Sequence, residues 1–292
     1  MVTTKEILAQ VRRLEIVTGK LVSESFAGDY SSVFKGRGME FSDVREYAEG
    51  DDPRDIDRNV SARTGKPYIR RYTEERELTV LIAVDLSGSQ SFGTADRLKK
   101  ETAVEAAALL AFSALANNDK VGLALFTDEV ELFVPAKKGR RHVLSIVRDV
   151  LAFEPARRAT AVGACLEKLA RMQKRRCVLL AVSDFRDEGF ERALKLAALK
   201  HDVVPVVVED PAEALLPPLA AVVEAVDPET GEARLLDAPG AAALAAAERA
   251  RREALDRTLR AAGLEPVTVS TARPTVDPLI AFFRRRAKRR SR

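Results

Sequence analysis

The chain has 292 residues, of which 46% are apolar and 32% are charged, so it can bury a substantial hydrophobic core. The net charge is +4, but residues 284–292 alone contribute +7, which leaves −3 for the rest of the chain. The two cysteines, Cys165 and Cys177, have no nearby His or second Cys pair; this excludes a disulfide framework and argues against a zinc site. There is no run of about eighteen apolar residues and no signal peptide, so we expect a soluble cytoplasmic protein without a transmembrane segment.

The amino-terminal quarter of the chain differs in pattern from the rest. Residues 4–18 carry apolar side chains at helical spacing and predict one amphipathic helix that ends near Gly19. Residues 28–76 are dense in charged and turn-forming residues and predict an irregular module with one or two short strands. Their charged cluster at 49–71 could form a docking surface, although we favour ion pairs that fix the irregular segment. We therefore assign residues 1–76 to an N-terminal helix and a charged module.

From residue 77 onward, Val-rich apolar strands alternate with helices. The predicted strands span 78–85, 120–126, 129–134, 176–183 and 202–208, and the predicted helices span 96–116, 140–151, 161–173 and 189–200. Such alternation predicts right-handed crossovers and an α/β fold with a mainly parallel central sheet and helices on both faces. Thr127 and Asp128 lie between two strand-like runs and predict a hairpin, so we expect one edge strand to be antiparallel.

The last third of the chain is less regular. A turn-rich connection between two apolar runs predicts a hairpin insertion near 219–238. A long helix with i, i+4 charge pairing is predicted over 240–262, a short strand over 266–271, and a final helix from about Val276 that leads into the basic tail. We assign residues 77–292 to one domain that includes the hairpin and the tail.

Two of the predicted strands end in an acidic residue, and these ends predict a metal site. The carboxyl ends of parallel strands lie at the same edge of a sheet, where ligands gather. The candidate ligands are Asp85, Ser87, Ser89, Thr160 and Asp184. An all-oxygen set with only two carboxylates favours Mg²⁺, with Mn²⁺ and Ca²⁺ as alternatives. It also leaves a coordination position open for an external oxygen, such as a Glu or Asp of a protein partner.

Other interpretations of these residues stay open. Asp85 and the two serines could form only a structural cap network, and Thr160 could be an ordinary helix N-cap. A Mg²⁺-dependent phosphatase-like hydrolase with Asp85 as nucleophile would need a second Asp where this chain has Ser87. Nucleic-acid binding rests on the basic tail alone, because aromatic residues make up 5% of the chain and Trp is absent. We expect neither enzymatic activity nor a specific nucleic-acid partner.

The metal-site pattern resembles a known family of binding sites. A D-x-S-x-S sequence over 85–89, then Thr160, then Asp184 after an apolar strand, resembles the metal-ion-dependent adhesion site of von Willebrand factor A domains. The segment 47–63, with Y-A-E-G-D-D-P-R-D-I-D, is similar to the bacterial family catalogued as domain of unknown function 58, and the resemblance covers most of residues 25–190.

Two positions depart from the family pattern, and neither is a candidate ligand. Arg58 stands where a Trp is expected, and Gln90 stands where Met is common. The resemblance implies a Rossmann-like A-type domain that acts with a MoxR-type AAA+ ATPase in a chaperone-like assembly or remodelling role. In that role the metal would recruit an acidic side chain of the client or of the ATPase.

Overall fold

The computed structural model describes residues 4–21, 39–74, 78–93, 97–214 and 222–290. The chain divides into two compact units: Phe34–Leu78 forms the smaller, and the remainder forms the larger. The predicted domain boundary after residue 76 lies outside the described residues. The amino-terminal helix, which we had assigned together with the charged module, groups with the larger unit instead.

The smaller unit is an antiparallel hairpin with a short helical connection. Strand β1 (Met39–Glu46) pairs with β2 (Tyr68–Glu74), and a 3₁₀ turn (Pro53–Asp55) and helix α2 (Arg58–Thr64) join them. The Asp57 carboxylate caps α2 by accepting two backbone N–H groups.

Charged side chains of the smaller unit pair with one another. Arg45 donates to both carboxylate oxygens of Asp51 at 2.9 and 2.7 Å, and Arg70 lies 3.0 Å from Asp57. These pairs lie within the smaller unit, and that the cluster fixes the irregular segment against the sheet domain stays a prediction. The arginines of both pairs are exposed, so each pair contributes little to stability.

The larger unit is built on a six-stranded sheet in the order β10-β7-β6-β3-β4-β5. Its strands are β3 (Thr79–Asp85), β4 (Lys120–Phe126), β5 (Val130–Lys137), β6 (Val178–Ser183), β7 (Asp202–Glu209) and β10 (Val267–Ser270). All neighbours are parallel except β4 and β5, which form the expected antiparallel edge. The predicted α/β fold with a mainly parallel sheet is therefore confirmed.

Helices flank this sheet. They are α1 (Thr4–Leu21), α3 (Lys99–Ala116), α4 (Arg140–Ala152), α5 (Val162–Met172), α6 (Glu191–Lys200), α7 (Pro211–Ala214), α8 (Ala238–Ala261) and α9 (Val276–Arg290). Leu81 and Ala83 of β3 join a core with α5 and α6 on one face. Because side chains alternate along a strand, Val80 and Ile82 point to the other face and are buried there. On that face α3 packs on β3, and α1 and α4 pack on α3. The start predicted for α3 at residue 96 lies outside the described residues.

Two segments at the carboxyl-terminal side complete the unit. Strands β8 (Val223–Val226) and β9 (Ala233–Leu236) form the expected hairpin as a separate two-stranded sheet, while residues 219–221 lie outside the described part. The basic tail is helical through residue 290 and follows the buried pair Phe282 and Phe283. Arg285 and Arg289 both bond Glu265.

The basic tail continues helix α9, and the side chains of Arg284, Arg285, Lys288 and Arg289 are exposed. Part of its positive charge is already paired. Residues 291 and 292 lie outside the described part.

Candidate metal centre

The two candidate carboxylates lie at the point where the strand order of the sheet reverses. Strand β3 has β4 on one side and β6 on the other, and the chain forms β4 before it returns to add β6. Asp85 ends β3 and Asp184 directly follows β6, and the register pairs Val84 with Val182 just before them. Both acids are buried, with 0% and 1% exposure. Such a switch point is the usual ligand site of an open parallel sheet.

The D-x-S-x-S segment forms a tight turn around Asp85. The Ser87 N–H donates to Asp85 Oδ1 at 2.9 Å, and the hydroxyls of Ser87 and Ser89 lie 3.1 Å apart. All three side chains are buried. The second carboxylate oxygen, Oδ2, accepts a hydrogen bond from Ser183 Oγ at 2.6 Å. The structure thus brings Asp85, Ser87 and Ser89 together as predicted, and adds Ser183 from β6.

Asp184 is paired with a lysine that sequence analysis did not single out. Lys99 Nζ, at the start of α3, donates to Asp184 Oδ2 at 2.6 Å and to Glu213 Oε1 at 2.8 Å. The Lys99 side chain is completely buried. No local pattern distinguishes Lys99 from its neighbour Lys100, so only the return of α3 to the carboxyl edge of the sheet reveals this pair.

Thr160 lies on a third loop and contacts a different acidic residue. Its hydroxyl donates to Glu229 Oε1 at 2.7 Å. The loop is tied to the D-x-S-x-S turn by a backbone bond from Gly88 N–H to Arg158 O at 2.7 Å. The N-cap of α5 is Ala161, without a side-chain cap bond, so the alternative of Thr160 as an ordinary N-cap is not what the structure adopts.

The site concentrates negative charge in a poorly solvated place. Burial raises the pKa of Asp85 to about 7, helped by the charge of Asp184 and opposed by the hydrogen bonds from Ser183 and Ser87. Burial also raises the pKa of Glu229, and the nearby Asp184 adds to this, although the bond from Thr160 opposes it. The Lys99 ammonium bonds Asp184 directly but makes no such bond with Asp85 or Glu229.

The donor set fits a hard divalent cation. It consists of carboxylate and hydroxyl oxygens only, and a cation would offset the repulsion between Asp85 and Asp184. Within the described ranges, no three Asp, Glu, His or Cys side chains could hold a metal ion by themselves. The hydroxyls of the two serines beside Asp85 would be further ligands of such an ion.

Beside this site, the side chain of Gln90 is buried, and within the described part of the chain neither its amide nitrogen nor its amide oxygen has a hydrogen-bond partner. Gln90 is the position at which the resembling family commonly has Met. A buried amide without partners costs stability, because its hydrogen bonds to water are lost without replacement.

The larger unit is a von Willebrand factor A-like domain. Its defining features are the five parallel strands with one antiparallel edge, the flanking helices and the D-x-S-x-S turn at the carboxyl edge. More particularly, the chain belongs to the family described as protein of unknown function DUF58, whose model matches residues 43–256.

Relatives in mycobacteria extend over nearly the whole chain. Uncharacterised proteins of Mycobacterium tuberculosis and Mycobacterium bovis are each 30% identical to it over 288 residues, which is 97% of this chain and 90% of each relative. An uncharacterised protein of Mycobacterium avium is 29% identical over 160 residues, which is 53% of this chain and 94% of the relative.

Solved structures resemble the chain more distantly. An aerotolerance-related membrane protein from Bacteroides fragilis is 19% identical, with a TM-score of 0.43, over 63% of this chain and 99% of its own. The VWA domain of SpRpn10 is 13% identical, with a TM-score of 0.37, over 70% of this chain and 94% of its own. No functional conclusion rests on these distant similarities. Among the described residues of this chain, no helix is long and apolar enough to span a membrane.

Proposed function

We propose that this protein is a metal-dependent protein–protein interaction module that recruits an acidic side chain of a partner. The proposed ligands are those predicted from sequence: Asp85, Ser87, Ser89, Thr160 and Asp184. The observation that carries the proposal is the pair of buried carboxylates at the switch point of the sheet, beside two hydroxyls that lie 3.1 Å apart.

The residues of the site suit binding better than catalysis. A bound Mg²⁺ would supply an electrophilic position for an external carboxylate oxygen, because hydroxyl ligands donate little negative charge to it. Both oxygens of Asp85 accept hydrogen bonds within the fold, and its side chain is fully buried. These features disfavour Asp85 as the nucleophile of a phosphatase-like hydrolase, so we propose that the protein is not an enzyme.

Lys99 is proposed to hold the site in shape. Its ammonium bonds Asp184 and Glu213, and it thereby offsets part of the carboxylate repulsion in the protein without metal. Lys99 itself bonds these two carboxylates and not that of Asp85.

For the partner, we propose a MoxR-type AAA+ ATPase or its client, in the cytoplasm, as the family resemblance implies. The alternative of nucleic-acid binding through the tail is weakened by the tail's own ion pairs. Arg285 and Arg289 bond Glu265, and Arg286 bonds Asp202, so part of the positive charge is already engaged.

Calorimetric titration with Mg²⁺ tests the proposal directly. The variants are Asp85→Asn and Asp184→Asn, with Asp210→Asn as a matched control. Asp210 is also a buried carboxylate that follows a strand of the same sheet, but it bonds Thr271 Oγ1 at 2.7 Å and lies outside the motif. We expect wild type and Asp210→Asn to bind Mg²⁺, and both site variants to bind at least about tenfold more weakly, a loss of about 1.4 kcal/mol.

A pull-down with purified ATPase, with and without chelator, then tests the partner. Thermal unfolding of each variant verifies that it is folded. If Asp85→Asn bound Mg²⁺ as tightly as wild type, the metal site would be wrong. If chelator left capture of the ATPase unchanged, the metal-dependent role in that interaction would be wrong.

A further inference from the structure

The hairpin formed by β8 and β9 carries a well-defined turn at its tip. The Asp227 carboxylate accepts the N–H of Glu229 at 2.8 Å, and the Gly231 N–H bonds the Asp227 carbonyl at 2.8 Å. Gly231 has a φ of 76°, which a glycine adopts without strain. These bonds form the turn through the carboxylate and the carbonyl of Asp227, and neither of them uses the Glu229 side chain.

This tip lies against two of the three loops of the candidate metal site. The Glu229 carboxylate accepts the bond from Thr160, as described above. The carbonyl of Pro228 lies so close to Gly88 that a Cβ added at Gly88 would be 2.2 Å from its oxygen. The absence of a side chain at position 88, between the two candidate serine ligands, therefore makes room for the hairpin tip.

Core packing does not hold the hairpin in this place. All eight residues of β8 and β9 are exposed or half-buried, and Val226 and Leu235 are 59% and 76% exposed. A two-stranded hairpin alone is only marginally stable in water. The contacts at its tip are thus a main determinant of where it lies, and their loss would cost little apolar burial elsewhere.

We propose that the Glu229 carboxylate occupies the position at Thr160 that a partner's carboxylate takes when the partner binds. The hairpin tip is then a displaceable cap on the site. This inference rests on the proposed function. It also narrows the partner's chemistry: to replace the tip, a partner must present its carboxylate on a turn narrow enough to pass beside Gly88. The competing segment of this chain has the sequence D227-P-E-T-G231.

Two measurements on the full chain test the cap, with Glu229→Ala as the variant and Glu224→Ala as the matched control. Glu224 lies on β8 of the same hairpin and is exposed. The first measurement is hydrogen exchange of the amides in 223–236. The second is fluorescence anisotropy of a labelled synthetic peptide of residues 222–236, titrated with each protein in Mg²⁺ and in chelator.

We expect Glu229→Ala to speed exchange at the tip about tenfold, because a charge-assisted hydrogen bond is lost. We also expect it to bind the peptide in Mg²⁺ about tenfold more tightly than wild type and Glu224→Ala do, and to lose that binding in chelator. A peptide with Gln in place of Glu229 should not bind.

The proposed cap is wrong if wild type, Glu229→Ala and Glu224→Ala bind the peptide equally well, or if none of them binds it. Faster exchange without a gain in peptide binding overturns it as well, because it would leave Glu229 a purely structural contact. The Mg²⁺ titration described above decides the metal site independently, so failure of the cap and failure of the proposed function can be told apart.

Discussion

The two sides of the candidate site are held in different ways. On the sheet side, Asp85 and Asp184 are buried at the ends of adjacent strands, and their partners Ser183 and Lys99 are buried too. On the loop side, Thr160 and Glu229 are only half-buried and meet through one hydrogen bond. Changes on the sheet side should therefore affect folding stability, while changes on the loop side should affect access to the site.

Removal of the Lys99 charge should have the largest effect. Lys99→Met would leave Asp184 and Glu213 buried without their shared ammonium, and loss of one partner from a buried ion pair typically costs about 3–5 kcal/mol. Urea denaturation should report this loss in the free energy of unfolding. Lys100→Met is the matched control and should change little, because within the described residues Lys100 bonds a single group, the carbonyl of Phe153, at 3.3 Å. Similar losses in both variants would mean that the pairing with Asp184 is not what stabilises the sheet side.

The next effect depends on pH and concerns Glu248 of α8. Burial alone would raise its pKa, but hydrogen bonds from Arg251 and Arg252 and the charges of Arg186 and Arg251 lower it to about 2. Arg251 also donates to the carbonyl of Asp184 at 3.2 Å, so this network supports the sheet side of the site.

In the unfolded chain, the pKa of Glu248 should be near the ordinary value of 4.5. Above that pH the ionised carboxylate should contribute its full stabilisation to the fold, and this stabilisation should fall as the pH approaches 2. The shift corresponds to about 3 kcal/mol. The free energy of unfolding of Glu248→Gln should therefore be lower than that of wild type by this amount at pH 7. The difference should become progressively smaller below pH 4.5. Urea denaturation between pH 7 and pH 3 measures the difference, and a loss that is constant over this range would contradict the assignment.

On the loop side, Gly88→Ala should loosen the hairpin without unfolding the protein. The added Cβ would clash with the Pro228 carbonyl, so we expect amide exchange of residues 223–236 to rise about tenfold, equivalent to about 1.4 kcal/mol of local stability. Ser91→Ala is the control, because Ser91 lies with Gly88 in the 3₁₀ turn Gly88–Ser91 but is exposed. Unchanged exchange in Gly88→Ala would show that the hairpin does not depend on its approach to Gly88.

The smallest effect is expected at Gln90, which directly follows the candidate ligand Ser89 and is buried. The buried amide of Gln90 has no hydrogen-bond partner in the described part of the chain. Gln90→Met would replace it by an apolar side chain of similar length, which needs no such partner. We expect the free energy of unfolding to rise by about 1 kcal/mol, measured by urea denaturation. Gln173→Met is a control, since the exposed amide of Gln173 already bonds the Arg175 carbonyl. A destabilised Gln90→Met would indicate that the amide has a partner in solution.

Sequence patterns predicted the sheet side of the site well. The apolar run of β3 and that of β6 each stop at an acidic residue, and the strand-end rule for parallel sheets places both at one edge. The order of the predicted strands and helices also followed from periodicity, with ends that shifted by a few residues, whereas the short helices α2 and α7 were not predicted.

By itself, the sequence determined the α/β fold and the position of Asp85, Ser87, Ser89 and Asp184 at the carboxyl edge, because hydrophobic periodicity and strand ends are local properties. Only the tertiary structure decided which groups meet these residues: Lys99 at Asp184, Ser183 at Asp85, and Glu229 at Thr160. Each of these pairs joins residues far apart in the chain. Their contacts depend on which strands are neighbours in the sheet and on where the start of α3 and the tip of the hairpin lie, and no local pattern encodes these positions.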